Sequence, residues 1–111
     1  MKISVAMATY NGAQYIEEQL ESIRIQTMPV DEVRICDDGS SDDTVEVICH
    51  YIREHGLEGS WSVEVNQENL GYASNFMKAV GLTNGDYVFF CDQDDIWIAD
   101  RAERMIGLME A

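Results

Sequence analysis

Three carboxylates, Asp92, Asp94 and Asp95, follow directly on the apolar run Tyr87 to Cys91. Asp92 and Asp94 are two positions apart, with Gln93 between them. Carboxylates at that spacing can share a hard divalent cation, and Mg²⁺ or Mn²⁺ held through one or two carboxylates usually also holds phosphate. The run before them is apolar at every position, which suits a strand buried on both faces of a parallel sheet. Ligands of open α/β sheets sit at the carboxyl ends of the strands, so the acids lie where a ligand is expected. The alternative use of such residues is a polar strand-end loop with some helix capping.

Two further polar clusters have the same placement. Thr9-Tyr10-Asn11-Gly12 follows the strand-like run Lys2 to Ala8, and Asp37-Asp38-Gly39 follows Asp31 to Cys36. Tyr10 could stack on a base or sugar. A carboxylate at Asp37 or Asp38 could accept from a pyrimidine N–H or a ribose hydroxyl. Capping explains Ser41 or Asp42 better than it explains these two, which stand several positions before the next helix. Asn69, Gly71 and Asn75 form a fourth polar group, in which Gly71 allows close backbone approach and Asn69 could cap a helix. There is no Gly-x-Gly-x-x-Gly fingerprint and no P-loop. His50 and His55 stand apart from the clusters, no Ser-His-Asp or Cys-His arrangement is evident, and both read as structural or surface residues. Trp97 reads as a core residue or a wall of the site.

The elements that must position these clusters alternate. Strand-like runs at Lys2–Ala8, Asp31–Cys36, Trp61–Asn66 and from Tyr87 are separated by helical patterns. Helix one spans about Ala13 to Gln26 on a stripe of Ile16, Leu20, Ile23 and Thr27, ended by Met28-Pro29. Helix two spans Thr44 to His55 on Val45, Ile48 and Ile52. Helix three spans Tyr72 to Leu82 with Phe76, Ala79 and Val80 inward. A last helix spans Ala99 to Met109 with Ala102, Met105, Ile106 and Met109 on one side. The fold class is α/β, a Rossmann-like, mostly parallel sheet of about four strands with helices on both faces. In such a sheet the three strand-end clusters converge on one edge.

The chain has 111 residues, about one domain, with a net charge of −14 and 46% apolar residues. That charge argues against nucleic acid and anionic membranes, and it would repel a phosphate ligand unless a metal ion offsets it. No apolar run reaches the roughly 20 residues a membrane helix needs, and no signal peptide is visible. Three scattered cysteines, Cys36, Cys49 and Cys91, read as reduced thiols of a cytoplasmic protein.

Taken together, Val5 to Gly12, Glu18 to Ile23, Asp37 to Thr44, Asn69 to Asn75 and Phe90 to Trp97 resemble family 2 glycosyltransferases of the GT-A fold, in particular their rhamnosyltransferase-like, cell-surface polysaccharide branch. The resemblance covers essentially the whole chain, in the family's order. It implies a UDP- or dTDP-sugar donor, a divalent metal (Mn²⁺ or Mg²⁺), and a glycan or lipid-linked acceptor. It also implies residue roles. Thr9 and Tyr10 line the nucleotide pocket with Asn11; Asp38 meets the base, supported by Asp37; Asn69, Gly71 and Asn75 border the nucleotide. Asp92-Gln93-Asp94 is the D-x-D motif, with Asp92 near ribose or metal and Asp94 the direct metal ligand. Where the branch often has Pro and Lys after Trp97, this chain has Ala99 and Arg101. The resemblance reads residues 1–111 as a donor-binding part that stops just past the D-x-D motif. No general base is identified in it, and self-association through surface exposed by truncation is expected. A place at the inner face of the membrane would depend on a missing part. Two other classes compete: a non-catalytic nucleotide-binding or interaction module of the same fold, and a receiver-like signalling domain. The latter needs an acid pair after the first strand and a Lys after a later one, whereas here Thr9-Tyr10 occupies the first position and Lys78 lies within a helix.

Overall fold

The computed structural model of the chain describes residues 1–92 and 95–110. Four strands and four helices alternate: β1 (Ile3–Thr9), α1 (Ile16–Arg24), β2 (Glu32–Asp37), α2 (Thr44–Glu54), β3 (Trp61–Val65), α3 (Tyr72–Gly81), β4 (Tyr87–Cys91) and α4 (Arg101–Glu110). The strands form one parallel sheet in the order β3-β2-β1-β4. The α/β class expected from the alternation is the one observed.

Every residue of β1 is buried, because it is an interior strand, between β2 and β4, with helices over each face. Its side chains alternate. Ile3, Val5 and Met7 face a large core shared with Ile16, Leu20 and Ile23 of α1, Ile48 and Ile52 of α2, and Ala102 and Ile106 of α4. Ala6 and Ala8 face a small second core with Cys36, Phe76 and Ala79. The small side chains on that face let the single helix α3 lie close to the sheet. From β1 the chain moves to β2 and β3 on one side and returns to β4 on the other. This reversal creates a crevice at the carboxyl ends of β1 and β4, the place where open sheets bind ligands. The register pairs Thr9 with Asp37, Asp37 with Val65, and Met7 with Cys91. The three polar clusters therefore do leave the sheet at one edge.

Several expected details differ. Helix α1 is shorter than the 13–26 pattern, since Ile16 N–H and Tyr15 N–H both turn back on Gly12 O. Gln26, not the exposed Thr27, continues its buried stripe. In α2 the third buried position is Tyr51, while Val45 is only partly covered. In α4 only Ala102 and Ile106 are buried, and Met105 and Met109 are exposed, because the helix touches the core along a narrow line. Cys36, Cys49 and Cys91 are free thiols. Apolar side chains are exposed beside the edge strand β4 and along α4, among them Phe90, Ile98, Leu108 and Met109. No helix among the described residues is long and apolar enough to cross a membrane.

The opposite end of the sheet is fastened by a buried carboxylate. Glu32 accepts from Ser4 Oγ (2.5 Å), the Asn84 backbone N–H (2.7 Å) and Arg34 Nε (3.0 Å). Burial alone would raise its pKa, but the Asn84 and Ser4 hydrogen bonds and the Arg34 charge bring it below the ordinary 4.5. The turn it holds is tight: a Cβ on Gly85 would stand 2.2 Å from Ser4 Oγ and 2.9 Å from Lys2 O.

Two outcomes follow for stability. A depressed carboxylate contributes stability above its unfolded pKa and loses it as pH falls through the folded value. Glu32→Gln is expected to lower unfolding free energy at pH 7 by about 2 kcal/mol and to flatten the loss of stability below pH 4.5, as read from urea midpoints at several pH values. Gly85→Ala should cost about 1–3 kcal/mol through overpacking, seen as a lower midpoint at unchanged slope.

Candidate nucleotide-binding site

At the ligand edge, the loop after β1 is held to the loop after β2. Asn11 adopts a positive φ of 50°. Its backbone N–H donates to Ser40 Oγ (2.8 Å), and its side-chain Oδ1 accepts from Ser41 N–H (2.8 Å). Gly12 N–H donates to Thr44 Oγ1 (2.8 Å). Asp42 accepts from Thr44 N–H (3.0 Å) and Ala13 N–H (3.2 Å), so of the two expected capping residues Asp42 serves the start of α2. Ser41 pairs with Asn11 instead.

Asp37 and Asp38 have different jobs. Asp37 is fully buried. Its Oδ1 accepts from Thr9 Oγ1 (2.7 Å) and Ser40 Oγ (2.6 Å), and its Oδ2 from Ser40 N–H (2.7 Å) and Gly39 N–H (3.1 Å). An ionised carboxylate offers about four acceptor positions, and all of those on Asp37 are taken. Asp38 Oδ1 accepts from Leu70 N–H (2.7 Å) and Asn66 Nδ2 (3.0 Å), and Oδ2 from Gly71 N–H (3.1 Å). By the same count Oδ2 keeps one position open among the described residues. Burial would raise the Asp38 pKa, but the Leu70 N–H, the Asn66 amide and the Gly71 N–H outweigh it and hold the carboxyl below its usual range. Asp38 is therefore an ionised acceptor at neutral pH.

The loop before α3 is built around Asp38. Asn69 does not cap the helix; its Nδ2 donates to Asp38 O (2.8 Å). Gly71 is the residue preceding α3, with φ of 87°, and a Cβ there would meet nothing within 4 Å. Its glycine thus answers the backbone conformation, not a close approach. Asn75, also buried, donates to Cys36 O (2.8 Å) and accepts from Asn66 Nδ2 (2.7 Å). Lys78 Nζ completes this network on Asn66 Oδ1 (2.7 Å).

Ala8, Thr9, Tyr10, Asp38, Tyr72 and Asn75 line one cavity of about 300 Å³. Tyr72, one of these lining residues, donates its hydroxyl to Asp92 Oδ1. The hydrogen bond to Asp92, helped by partial burial, pushes the phenol up to about 12. The structure thus brings Thr9, Tyr10, Asp38 and Asn75 into the cavity wall and Asp92 to its rim, with Asp37, Asn11, Asn69 and Gly71 shaping the loops behind. Gln93 and Asp94 lie outside the described residues. Asp95 is paired with Arg101 (3.2 Å). Among the described residues no group of three His, Cys, Asp or Glu converges on a metal position. Trp97 is a core residue, packed on Phe89 at 5.8 Å between ring centroids. His50 pairs with Glu54 and His55 stacks on Tyr51, away from the cavity.

Sequence reasoning did not select Asn66, Tyr72 or Lys78. Asn66 ends the β3 pattern and Tyr72 opens the α3 pattern, so both carried a positional signal, shared with the chosen strand-end residues. Lys78 carried none, because a lysine within a helix reads as solvated surface.

Sheet order and the polar edge define an α/β domain with a crevice at the carboxyl ends of β1 and β4. The sequence matches the family described as "Glycosyl transferase family 2" over residues 4–111, and the chain belongs to that family. It is 40% identical over 107 residues to the dTDP-rhamnosyl transferase RfbG of Shigella flexneri, covering 93% of this chain and 36% of that protein. Among solved structures, S. aureus TarS in complex with UDP superposes with a TM-score of 0.85 at 29% identity, covering 99% of this chain and 32% of the other. A mannosyltransferase from Pyrobaculum calidifontis in complex with GDP-Man and Mn²⁺ gives a TM-score of 0.81 at 30% identity, covering 88% and 29%. The chain thus spans well under half the length of these relatives. A receiver-like fold is set aside both by the family and by the sheet, since a receiver's order 2-1-3-4-5 would put β3 beside β1, and here β3 borders β2.

Replacing Asp37 by Asn turns one acceptor oxygen into a donor facing Thr9 and Ser40 or the loop amides. Asp37→Asn is expected to cost about 2 kcal/mol of stability, measurable by urea unfolding at pH 7.

Proposed function

We propose that the chain is the donor-binding part of a glycosyltransferase of the hexosyl or rhamnosyl type. It would hold a UDP- or dTDP-sugar whose sugar passes to a glycan or lipid-linked acceptor in cell-surface polysaccharide synthesis. The observation that carries this reading is the open acceptor position on Asp38 in the wall of the cavity: an ionised, prepositioned carboxylate suits the N–H of a pyrimidine. Thr9, Tyr10, Asn75, Asp92 and Gln93 are assigned to the nucleotide with it, and Asn11, Asp37, Asn69 and Gly71 to holding the loops around it. The dTDP-rhamnosyl transferase and the UDP complex among its relatives support the choice of nucleotide.

Asp92 and Asp94 are assigned to a divalent metal. The donor set fits: carboxylate oxygens are the ligands that Mg²⁺ and Mn²⁺ take, and Asp92 is exposed at the cavity rim with a hydroxyl donor that a cation can replace. The Mn²⁺ complex of the mannosyltransferase supports the same reading. When bound, such an ion offsets the charge of the leaving diphosphate. The chain's own residues bind and orient: Asp38 fixes the base, Tyr10 and Tyr72 flank the cavity, and Asp37 keeps Thr9 in place. No residue of this chain is assigned as the general base. The free thiols support work in the reducing cytoplasm.

Calorimetric titration with UDP and dTDP, each with and without Mn²⁺, tests the proposal. Binding that strengthens with Mn²⁺ is expected, and Asp94→Ala should abolish the metal's contribution. Asp38→Ala should weaken the nucleotide about tenfold or more with or without metal, as loss of a charge-assisted hydrogen bond would. A folded chain that binds neither nucleotide would leave the non-catalytic interaction module as the reading.

A further inference from the structure

Helix α1 buries two polar side chains, Gln19 (0% exposed) and Ser22 (6%), and Gln26 (5%), two residues past its end, continues the row. Spacings of three and four put them in line on one face. That face does not look at the sheet core alone; it meets the backbone of the segment after β4. Gln19 Nε2 donates to Asp92 O and contacts Cys91 Sγ (3.1 Å). Ser22 Oγ accepts from Trp97 N–H (3.1 Å) and donates to Gln19 O (2.7 Å). Gln26 Nε2 donates to Ile98 O (2.8 Å), and its Oε1 accepts from Ala102 N–H (3.0 Å). One residue further on, Thr27 N–H donates to Ala99 O (2.8 Å). Helix α1 and the turn after it therefore hold the backbone at Asp92, Trp97, Ile98, Ala99 and Ala102.

Gln19 is the informative member. Its Oε1 is buried without a hydrogen-bond partner among the described residues. A buried, unpaired carbonyl oxygen weakens a fold, and the neighbouring core positions of α1 are Ile16, Leu20 and Ile23. Stability alone would favour an apolar side chain at position 19. What the glutamine supplies is its other end, the amide that fixes Asp92 O.

We infer that Gln19, Ser22 and Gln26 are positioning residues that set Asp92 and the segment from Trp97 to Ala102 for a metal and diphosphate, acting from α1 and the turn after it. The inference rests on the donor-site reading above. It separates two halves of that site. The base cavity is built by β1, β2 and α3, with no lining residue from α1, whereas the acidic rim depends on α1. Outer residues that orient metal ligands typically change metal affinity by about 10–100-fold.

The test uses the 111-residue chain with Gln19→Leu, Ser22→Ala, Ser22→Thr and Gln26→Leu. UDP and dTDP are titrated with and without Mn²⁺, thermal melting is recorded, and amide hydrogen exchange is followed at Trp97 and Ala102. Gln19→Leu is expected to melt no lower than the unaltered chain, yet to reduce the Mn²⁺-dependent gain in nucleotide affinity about tenfold, with metal-free affinity within about twofold. Gln26→Leu should lose the same gain. Ser22→Ala should speed exchange at Trp97 but not at the core amide of Val5, and Ser22→Thr should restore protection. A merely structural role would lower melting temperature and both affinities together. An unchanged metal gain in Gln19→Leu and Gln26→Leu, with normal binding by the unaltered chain, overturns this inference alone. Absence of metal-dependent binding in the unaltered chain overturns the donor-site reading and this inference with it.

Discussion

The ligand edge of this protein depends on the saturation of one buried carboxylate. Asp37 sits at the last position of β2, beside Thr9 at the last position of β1. Polar groups at the end of a buried parallel sheet must find partners there, and Asp37 satisfies Thr9, Gly39 and Ser40 at once. Because its acceptor positions are filled, the next residue is left to face the cavity. The two adjacent aspartates thus divide into a structural and a ligand-facing member by hydrogen-bond count, a distinction that residue type alone does not make.

The same logic orders the rest of the edge. Asp38 gathers the β3–α3 loop through Leu70, Gly71 and Asn66, and Asn66 passes the connection on to Asn75 and Lys78. On the far side of β1, the acidic segment after β4 has no strand beyond it to lean on, since β4 is the sheet's edge. Its support comes from the polar face of α1. A chain of net charge −14 can hold a phosphate-bearing ligand only if its acids are kept in chosen directions or neutralised. Here Asp37, Asp38 and Asp95 are each committed to named donors, and the Asp92 carboxylate meets only a phenol among the described residues.

Much of this was readable from the sequence. The βαβα alternation, the four strands within a residue or two of their ends, and the convergence of three polar clusters follow from hydrophobic period and turn chemistry, which are local properties. The boundaries of α1 and the faces of α4 were not readable. Gln26 is polar and Thr27 can pass for apolar, so periodicity selected the wrong one. Met105 and Met109 match the period of a buried stripe, but α4 meets the core along too narrow a line to cover them. Asn69 looked like a cap and is a hydrogen-bond donor to Asp38 O.

The sequence by itself determined the fold class, the edge of the sheet at which a ligand belongs, and the family, because apolar spacing and strand-end residue types are written along the chain. Only the tertiary structure decided which aspartate lines the cavity, that Tyr72 in its wall reaches Asp92, and that Gln19, Ser22 and Gln26 hold the backbone at Asp92, Trp97, Ile98 and Ala102. The contacts made to and from the segment after β4 join residues 20 to 76 positions apart. Their meaning lies in how acceptor positions are shared between segments, and no local pattern carries that.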